Sequence, residues 1–244
     1  MRFFYMKKIE QFIDATFLKT EQNGLTSDEV NQNVQQLLDD AVRLNMKLVM
    51  IRPEFIQQAK AYIKSQKSSV GVGTVIDFPF GDGGIETKIK EAEYAINQQA
   101  DELDFVIDYK AFQKGECEKV KQEVYTLTAL CLENQKVVKW IIETAALTDA
   151  EIIRITTLIK NVIVSKFNEK AYEQVYVKSS TGFYKTPNDQ PNGANVHVIT
   201  LMLENATPLN VKASGGIKTR EDAIQMIQMG VKRIGTSSHL AIVE

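Results

Sequence analysis

The sequence predicts a (β/α)8 barrel, and three observations support this fold class. The 244 residues are 44% hydrophobic, enough to bury a large core. Short apolar runs alternate with longer segments of helical period, the pattern of parallel strands joined by helices. Eight such units in about 250 residues is the number that closes a barrel. We therefore expect one domain over residues 1–244, with an open doubly wound sheet as the alternative.

The strands are predicted from apolar runs, and the helices from the amphipathic intervals between them. In chain order the strands are Phe12–Phe17, Lys47–Ile51, Val70–Ile76, Glu102–Ile107, Val138–Glu143, Val175–Ser179, Leu209–Ala213 and Arg233–Gly235. Thr26 and Glu29 have the spacing of a capping box, in which each side chain binds a free backbone N–H at the start of a helix. Thr148 and Glu151 repeat this spacing, and Thr219 is predicted to cap a later helix.

Composition and charge exclude several classes of protein. A formal net charge of -2, with basic residues spread along the chain, gives no footprint for nucleic acid or for an anionic membrane. The two cysteines lack metal or redox spacing, and the two histidines, His197 and His239, lack ligand-like neighbours. The first ten residues do not resemble a signal peptide, although the sequence does not decide between Met1 and Met6 as the natural start. We therefore expect a cytoplasmic protein that needs no metal or other cofactor.

Charged residues inside the predicted strands are the main anomaly, because an unpaired ion in an apolar interior is costly. Strict alternation in the fourth strand directs Leu103 and Phe105 towards the helices and Asp104 into the barrel. By the same alternation Lys178 on the sixth strand and Lys212 on the seventh face inward. The inner face also receives Glu102, Lys139 and Glu143.

Two inward lysines on neighbouring strands indicate a specific chemistry. At a separation of about 5 Å and an effective dielectric near 20, two ammonium groups repel each other by roughly 3 kcal/mol. That repulsion lowers a lysine pKa by about two units, and desolvation acts in the same direction. Lys178 would then be partly neutral and nucleophilic, while Asp104 would keep Lys212 charged and relay protons. This arrangement is suited to imine formation with an aldehyde; a buried ion-pair network without catalysis is the alternative.

Glycine-rich segments follow the last three predicted strands. They are Thr181–Gly182, Ser214–Ile217 and Gly235–Ser238. Barrels often hold phosphate where the loops after strands seven and eight converge, because glycine lets backbone N–H groups approach an anion. We therefore predict a phosphate site there. The Gly81–Gly84 segment is predicted to be a turn that opens a helix, and Lys185–Asn195 an enlarged loop of unassigned role.

Seven stretches, in order from the first strand to the last, resemble the deoxyribose-phosphate aldolase family. They are Phe12–Thr16, Gly73–Pro79, Ala100–Asp104, Ile141–Thr144, Val177–Phe183, Val211–Ile217 and Arg233–Ser238. The resemblance implies a (β/α)8 barrel that cleaves 2-deoxy-D-ribose 5-phosphate reversibly to acetaldehyde and D-glyceraldehyde 3-phosphate, without a cofactor. It implies small phosphorylated sugars and aldehydes as partners, neither nucleic acid nor membrane, and leaves a homodimer open.

The resemblance also implies roles for individual residues. Lys178 matches the lysine that forms the Schiff base, Lys212 the lysine that perturbs it, and Asp104 the proton-relay carboxylate. The residues implied to bind substrate are Asp14, Thr16, Thr181, Gly182, Gly215, Gly216, Gly235, Ser237 and Ser238. Ala15 stands where the family usually has histidine, and Met50 where it has cysteine, so substrate affinity and rate are less well defined by the resemblance than reaction type.

Three other functions are compatible with parts of the sequence pattern. One is a Schiff-base barrel aldolase acting on another phosphorylated sugar, such as a transaldolase-like enzyme. Another is a barrel that binds a phosphosugar without turnover, against which the retained Lys178, Lys212 and Asp104 argue. The third is a structural or regulatory barrel, whose lysines would titrate normally.

Overall fold

The computed structural model describes residues 8–186 and 193–244, within which eight parallel strands close into a barrel in sequence order. The strands are β1 (Ile13–Thr16), β2 (Leu48–Ile51), β3 (Gly71–Ile76), β4 (Glu102–Val106), β5 (Val137–Ile141), β6 (Val175–Lys178), β7 (Asn210–Ser214) and β8 (Arg233–Thr236). Every predicted strand is present, with its ends displaced by at most two residues. Because β8 pairs with β1, the barrel is closed and the open-sheet alternative is wrong.

Helices follow the strands and surround the barrel. Those in the described part of the chain are α1 (Ser27–Arg43), α2 (Ile56–Ser65), α3 (Ile85–Asn97), α4 (Tyr109–Gln113), α5 (Cys117–Glu133), α6 (Asp149–Lys166), α7 (Val196–Ala206), α8 (Arg220–Met229) and α9 (His239–Val243). Both predicted capping boxes are confirmed at the starts of α1 and α6. Thr219 caps α8 as predicted and forms a third box with Asp222. The predicted turn lies just before the expected segment, at residues 78–80, and Gly84 is the residue that precedes α3.

The apolar side chains form two separate layers. The larger lies between strands and helices and includes Phe105, whose ring stacks on Trp140 with centroids 5.2 Å apart. The smaller, here called the inner apolar cluster, consists of Leu18, Leu48, Met50 and Val75, with Phe78 and Phe183 packed against it. Leu48 lies opposite Asp14 and Val75 opposite Asp104 in the strand register, so this cluster shares the inner face with the charged residues.

Two segments bear on earlier expectations. Most of the predicted loop Lys185–Asn195 lies outside the described residues. Met1 and Met6, the two possible starts, also lie outside them. The end of that loop returns to β7, where the Ala194 N–H donates to the carbonyl oxygen of Gly215 at 2.9 Å. None of the helices in residues 8–186 and 193–244 has the length and apolar character required to cross a membrane.

Candidate active site

Asp104 lies at the centre of the barrel and binds three lysines. Its Oδ1 atom accepts a hydrogen bond from Lys139 Nζ at 2.6 Å, and its Oδ2 atom accepts from Lys178 Nζ and Lys212 Nζ, each at 2.9 Å. Asp104 lies opposite Lys139 in the register of β4 and β5, and Lys178 lies opposite Lys212 in that of β6 and β7. The alternation of the strands therefore places these four side chains on one face, as predicted.

Two further carboxylates and an arginine extend this arrangement. Lys212 Nζ lies 2.6 Å from Asp14 Oδ2, and Lys139 Nζ lies 2.6 Å from Glu102 Oε2. The Arg233 guanidinium donates to both Asp14 and Glu102. All of these side chains are buried. Each charge is thus taken out of water in contact with opposite charge, which is the condition under which buried ions are tolerated.

These seven residues, here called the barrel network, do not balance in charge. The network consists of Asp14, Glu102, Asp104, Lys139, Lys178, Lys212 and Arg233. With every group ionised it would hold four positive charges against three negative charges. Loss of one proton from one amine would make the network neutral, which favours that form in a buried site.

Lys178 is the amine best placed to lose that proton. Within the barrel network it pairs with one carboxylate, whereas Lys212 pairs with two and Lys139 with three. Lys178 is also the last residue of β6 and is 3% exposed, while Lys139 and Lys212 are fully buried. Active sites of such barrels lie at the C-terminal ends of the strands. Of the three amines, that of Lys178 therefore lies nearest to an entering ligand.

The pKa values agree with this assignment. Burial is the main cause that lowers the pKa of Lys178 to about 8, Lys212 lowers it further, and Asp104 opposes the shift. The sequence interpretation gave first place to repulsion between the lysines, but complete enclosure by the barrel makes desolvation the larger contribution. Burial alone would raise the pKa of Asp104, yet the three lysines hold it well below its usual range. Burial likewise opposes the charged form of Lys139, whose pKa is nevertheless raised by Asp104, Glu102 and Asp14.

A buried carboxylate organises the loop after β6. Glu143 follows β5 with φ 55°, in the left-handed region that few bulky residues adopt. Its Oε1 atom accepts a hydrogen bond from Ser180 Oγ at 2.6 Å, and its Oε2 atom accepts from the N–H and hydroxyl of Thr181. The Gly182 N–H donates to Ser180 Oγ at 3.0 Å. The N–H and hydroxyl of the predicted substrate residue Thr181 therefore already bind Glu143, and the N–H of Gly182 already binds Ser180.

The turns after β7 and β8 lie side by side at the same end of the barrel. Gly215 and Gly216 have φ values of 89° and 85°, which only glycine adopts readily. The Thr236 hydroxyl donates to the carbonyl oxygen of Ile217 at 2.8 Å and so joins the two turns. Its oxygen also accepts the Ser238 N–H at 2.9 Å. Ser237 lies between Thr236 and Ser238, and Ser238 directly precedes α9.

Gly235 and the two polar residues of β1 contact the network itself. A Cβ atom at Gly235 would lie 3.0 Å from Lys212 Cε and 3.1 Å from Ser214 Cβ, so the missing side chain makes room for the lysine. Asp14 is fully buried between Lys212 and Arg233, inside the network. The Thr16 hydroxyl donates to the backbone oxygen of Asp14 at 2.9 Å.

Three members of the network were not predicted as site residues. Alternation placed Glu102 and Lys139 on the inner face, which was the available signal for both. Arg233 begins β8, two residues before Gly235, so the same alternation applied to β8 would have directed it inward. Its partners on β1 and β4 become evident only when the barrel is closed.

Comparison with known proteins connects this geometry to a family. The sequence model of the DeoC/LacD family aldolases matches residues 11–241. The chain is 36% identical over 239 residues to a deoxyribose-phosphate aldolase of Caldicellulosiruptor saccharolyticus, covering 97% of each chain. It is 35% identical over 237 residues to the deoxyribose-phosphate aldolase of Thermococcus gammatolerans, covering 97% of this chain and 95% of that one.

Solved structures give the same result. The tetrameric deoxyribose phosphate aldolase of Aeropyrum pernix is similar with a TM-score of 0.74 and 26% identity, over 96% of this chain and 89% of that one. A protein described as QR15, an aldolase, has a TM-score of 0.79 and 29% identity, over 98% and 95% of the two chains. The match to the family model and to full-length relatives shows that this chain is a lyase of the DeoC/LacD family of aldolases.

Proposed function

We propose that this aldolase cleaves 2-deoxy-D-ribose 5-phosphate reversibly to acetaldehyde and D-glyceraldehyde 3-phosphate through a Schiff base on Lys178. The main support for the proposal is the position, pairing and lowered pKa of the Lys178 amine. Lys178 lies at the open end of a network with one surplus positive charge, contacts one carboxylate, and has a pKa lowered to about 8 mainly by burial. It therefore supplies neutral amine near neutral pH without losing its orientation.

The reaction follows from the properties of an imine. Neutral Lys178 attacks the C1 aldehyde of the open-chain sugar, and loss of water with uptake of one proton from solvent gives a protonated imine. A proton leaves the C3 hydroxyl, the C2–C3 bond breaks, and the bonding electrons move into the iminium to form an enamine. Glyceraldehyde 3-phosphate departs, the enamine takes a proton at C2, and water releases acetaldehyde and the free amine. The iminium is the electron sink, so the bond cleavage uses this chain's own lysine.

Lys212 and Asp104 have different parts in this scheme. Lys212 lies between Asp14 and Asp104 and provides a fixed positive charge beside the imine. Asp104 orients both lysines, but its pKa is held well below its usual range, which makes it a weak base. Two routes are available for the C3 proton in this scheme: direct transfer to Asp104, or transfer through a water molecule.

The turns after β7 and β8 are proposed to bind the phosphate. Gly215 and Gly216 leave the backbone open to an anion, and the neighbouring turn brings the Ser237 N–H and the hydroxyls of Ser237 and Ser238. The loop containing Thr181 and Gly182 is proposed to form the third side of this phosphate site. The names of relatives at 35–36% identity over nearly the full length support the same substrate.

A coupled assay for glyceraldehyde 3-phosphate release, run on the wild type and on Lys178→Ala, tests the reaction. Borohydride reduction in the presence of acetaldehyde, followed by peptide mass mapping, tests the nucleophile. We expect the adduct on the peptide that contains Lys178, and an adduct elsewhere would overturn the assignment. Comparison of 2-deoxyribose 5-phosphate with fructose 6-phosphate distinguishes this activity from that of a transaldolase-like enzyme. Binding without turnover would instead indicate a phosphosugar-binding barrel.

The proposal also covers the domain, the cellular location and the number of subunits. Residues 1–244 are proposed to form one barrel domain that acts in the cytoplasm on small phosphorylated sugars. The Aeropyrum pernix relative is described as a tetramer. Analytical ultracentrifugation of this chain would measure its own number of subunits.

A further inference from the structure

Glu143 is a buried carboxylate that the reaction scheme above does not use. It is 1% exposed and follows β5 directly beside the end of β6. On one side of it the Ile142 N–H donates to the Lys178 carbonyl oxygen at 3.0 Å, and on the other the Thr144 N–H donates to the Ser179 carbonyl oxygen at 2.9 Å. The backbone at Glu143 is thus fixed against the strand that carries Lys178, which aims its side chain at the loop beyond.

The carboxylate is satisfied by neutral donors and not by a cation. Among residues 8–186 and 193–244, Glu143 makes no ion pair. Its Oε1 atom accepts from the Ser180 hydroxyl, and its Oε2 atom accepts from the Thr181 hydroxyl and N–H. A buried carboxylate that has no cation beside it is costly unless its hydrogen-bond donors are held in place. These hydrogen bonds therefore restrain Ser180 and Thr181.

The Ser180 and Thr181 hydroxyls in turn restrain the two residues that follow them. The Ser180 oxygen accepts the Gly182 N–H at 3.0 Å, and the Thr181 oxygen accepts the Phe183 N–H at 3.0 Å. Since both hydroxyl protons are donated to Glu143, both oxygens are turned to accept these N–H groups. One carboxylate therefore fixes residues 180–183, here called the β6 loop, through two parallel chains of hydrogen bonds.

The β6 loop follows β6 at the end of the barrel where Lys178 lies. The Phe183 ring meets the Phe78 ring edge-on, with centroids 5.0 Å apart, and both pack against the inner apolar cluster. Lys178 does not depend on this loop. Its carbonyl oxygen accepts the Ile142 N–H, and the next residue, Ser179, donates its N–H to the Lys212 carbonyl oxygen at 3.2 Å. Loosening the β6 loop would therefore alter closure over the substrate while leaving the amine in position.

We propose that Glu143 is a positioning residue that sets the affinity for the phosphorylated sugar by fixing the β6 loop, without taking part in imine chemistry. This inference rests on the proposed function, because it assigns the β6 loop to the phosphate side of the bound substrate. A glutamine at this position has one acceptor oxygen and an NH2 donor in place of two acceptors. It cannot accept from both hydroxyls and the Thr181 N–H at once, so at least one of the two chains must break.

The test compares the wild type and Glu143→Gln on 2-deoxyribose 5-phosphate and on 2-deoxyribose. For Glu143→Gln we expect KM for the phosphorylated sugar to rise about tenfold, which is the loss of one hydrogen bond to a charged group. KM for 2-deoxyribose should change less, and kcat and borohydride trapping with acetaldehyde should stay within about twofold of the wild type. Asp101→Asn is the matched control, because Asp101 also accepts a backbone N–H, from Val72 at 2.8 Å, but at the opposite end of the barrel.

A fall in kcat for both sugars with unchanged KM, or loss of trapping at Lys178, would overturn the inference. Equal KM values for Glu143→Gln and the wild type would also overturn it. Ser180→Ala removes one of the two hydrogen-bond chains and retains the carboxylate. It serves as the test variant if Glu143→Gln does not fold. Its KM for the phosphorylated sugar should rise by a smaller factor, about three. Absence of wild-type activity on 2-deoxyribose 5-phosphate would instead reject the proposed function, which keeps the two failures apart.

Discussion

Lys178 and Lys212 lie opposite each other on β6 and β7 and donate to the same oxygen atom, Asp104 Oδ2, each at 2.9 Å. Their nitrogens are therefore at most twice that distance apart. Repulsion at this range favours loss of a proton from the amine with the weaker anionic surroundings. Lys212 has a second carboxylate in Asp14, whereas Lys178 does not. This asymmetry is our reason for assigning the nucleophile to Lys178.

The first prediction concerns pH. The pKa of Lys178 is lowered to about 8, so the fraction of neutral amine rises as pH increases through that value. We expect the rate of borohydride trapping with acetaldehyde to rise between about pH 7 and 9 and then level off, with a midpoint near 8. A midpoint near 10, the ordinary range of lysine, would show that burial does not act on this amine as described.

The second prediction separates the effect of Lys212 from that of burial. Lys212→Met removes a cation that lowers the pKa of Lys178 and leaves Asp104, which raises it, in place. The trapping midpoint should move upward by about one unit, which slows the reaction at pH 7 by roughly tenfold. The pH dependence of trapping measures this directly. If the rate falls but the midpoint stays near 8, Lys212 has another role.

The third prediction has the opposite sign. Asp14→Asn removes an anion from the barrel network and increases its surplus positive charge. We expect the trapping midpoint of Lys178 to move downward, by less than about one unit because Asp14 contacts Lys212 and not Lys178. The same pH series on this variant and on Lys212→Met gives the two signs side by side. Shifts in the same direction would contradict the electrostatic account.

The fourth prediction concerns stability. Asp104→Asn removes the carboxylate that three buried lysines share. Leaving buried cations without their partner costs roughly 3–5 kcal/mol of unfolding free energy. Denaturant unfolding measures this value, with Thr148→Ala as the comparison. That exposed variant removes a helix cap and should cost about 1 kcal/mol without affecting trapping. Equal losses for the two variants would mean that the network contributes little to folding.

The fifth prediction uses two glycines of the barrel interior. In Gly235→Ala the new methyl group would lie 3.0 Å from Lys212 Cε and displace that lysine from its carboxylates. In Gly73→Ala it would lie 2.7 Å from Met50 Cε and disturb only the inner apolar cluster. Both variants should lose about 1–3 kcal/mol of stability from overpacking. We expect Gly235→Ala alone to move the trapping midpoint, which melting curves combined with the pH series would establish.

The elements and the three central residues were predictable because the rules that govern them are local. Capping boxes lie within four residues, so Thr26 and Thr148 marked their helices directly. Period-two alternation within single strands was sufficient to place Asp104, Lys178 and Lys212 on the inner face. Their proximity then followed from parallel strands whose ends lie at the same level.

The remaining features depend on the closed barrel. Arg233 reaches Asp14 and Glu102 only because β8 pairs with β1 and returns the end of the chain to its beginning. The leading contribution of burial to the pKa of Lys178 depends on enclosure by all eight strands. Alternation along the fifth strand predicted an inward Glu143, but β5 ends at Ile141 and Glu143 adopts a left-handed backbone, so its carboxylate binds the β6 loop instead.

The interior of the barrel is divided, with the inner apolar cluster contributed largely by β2 and β3 and the charged groups by β1 and β4 to β8. One wall of the barrel interior is therefore charged and the facing wall is apolar. A carbonyl group is a dipole attached to a hydrocarbon chain, so we expect its oxygen to turn towards the N–H donors of the charged wall and its alkyl end towards the apolar wall. If the proposed reaction holds, we expect the order of the strands to align an aldehyde before any bond forms.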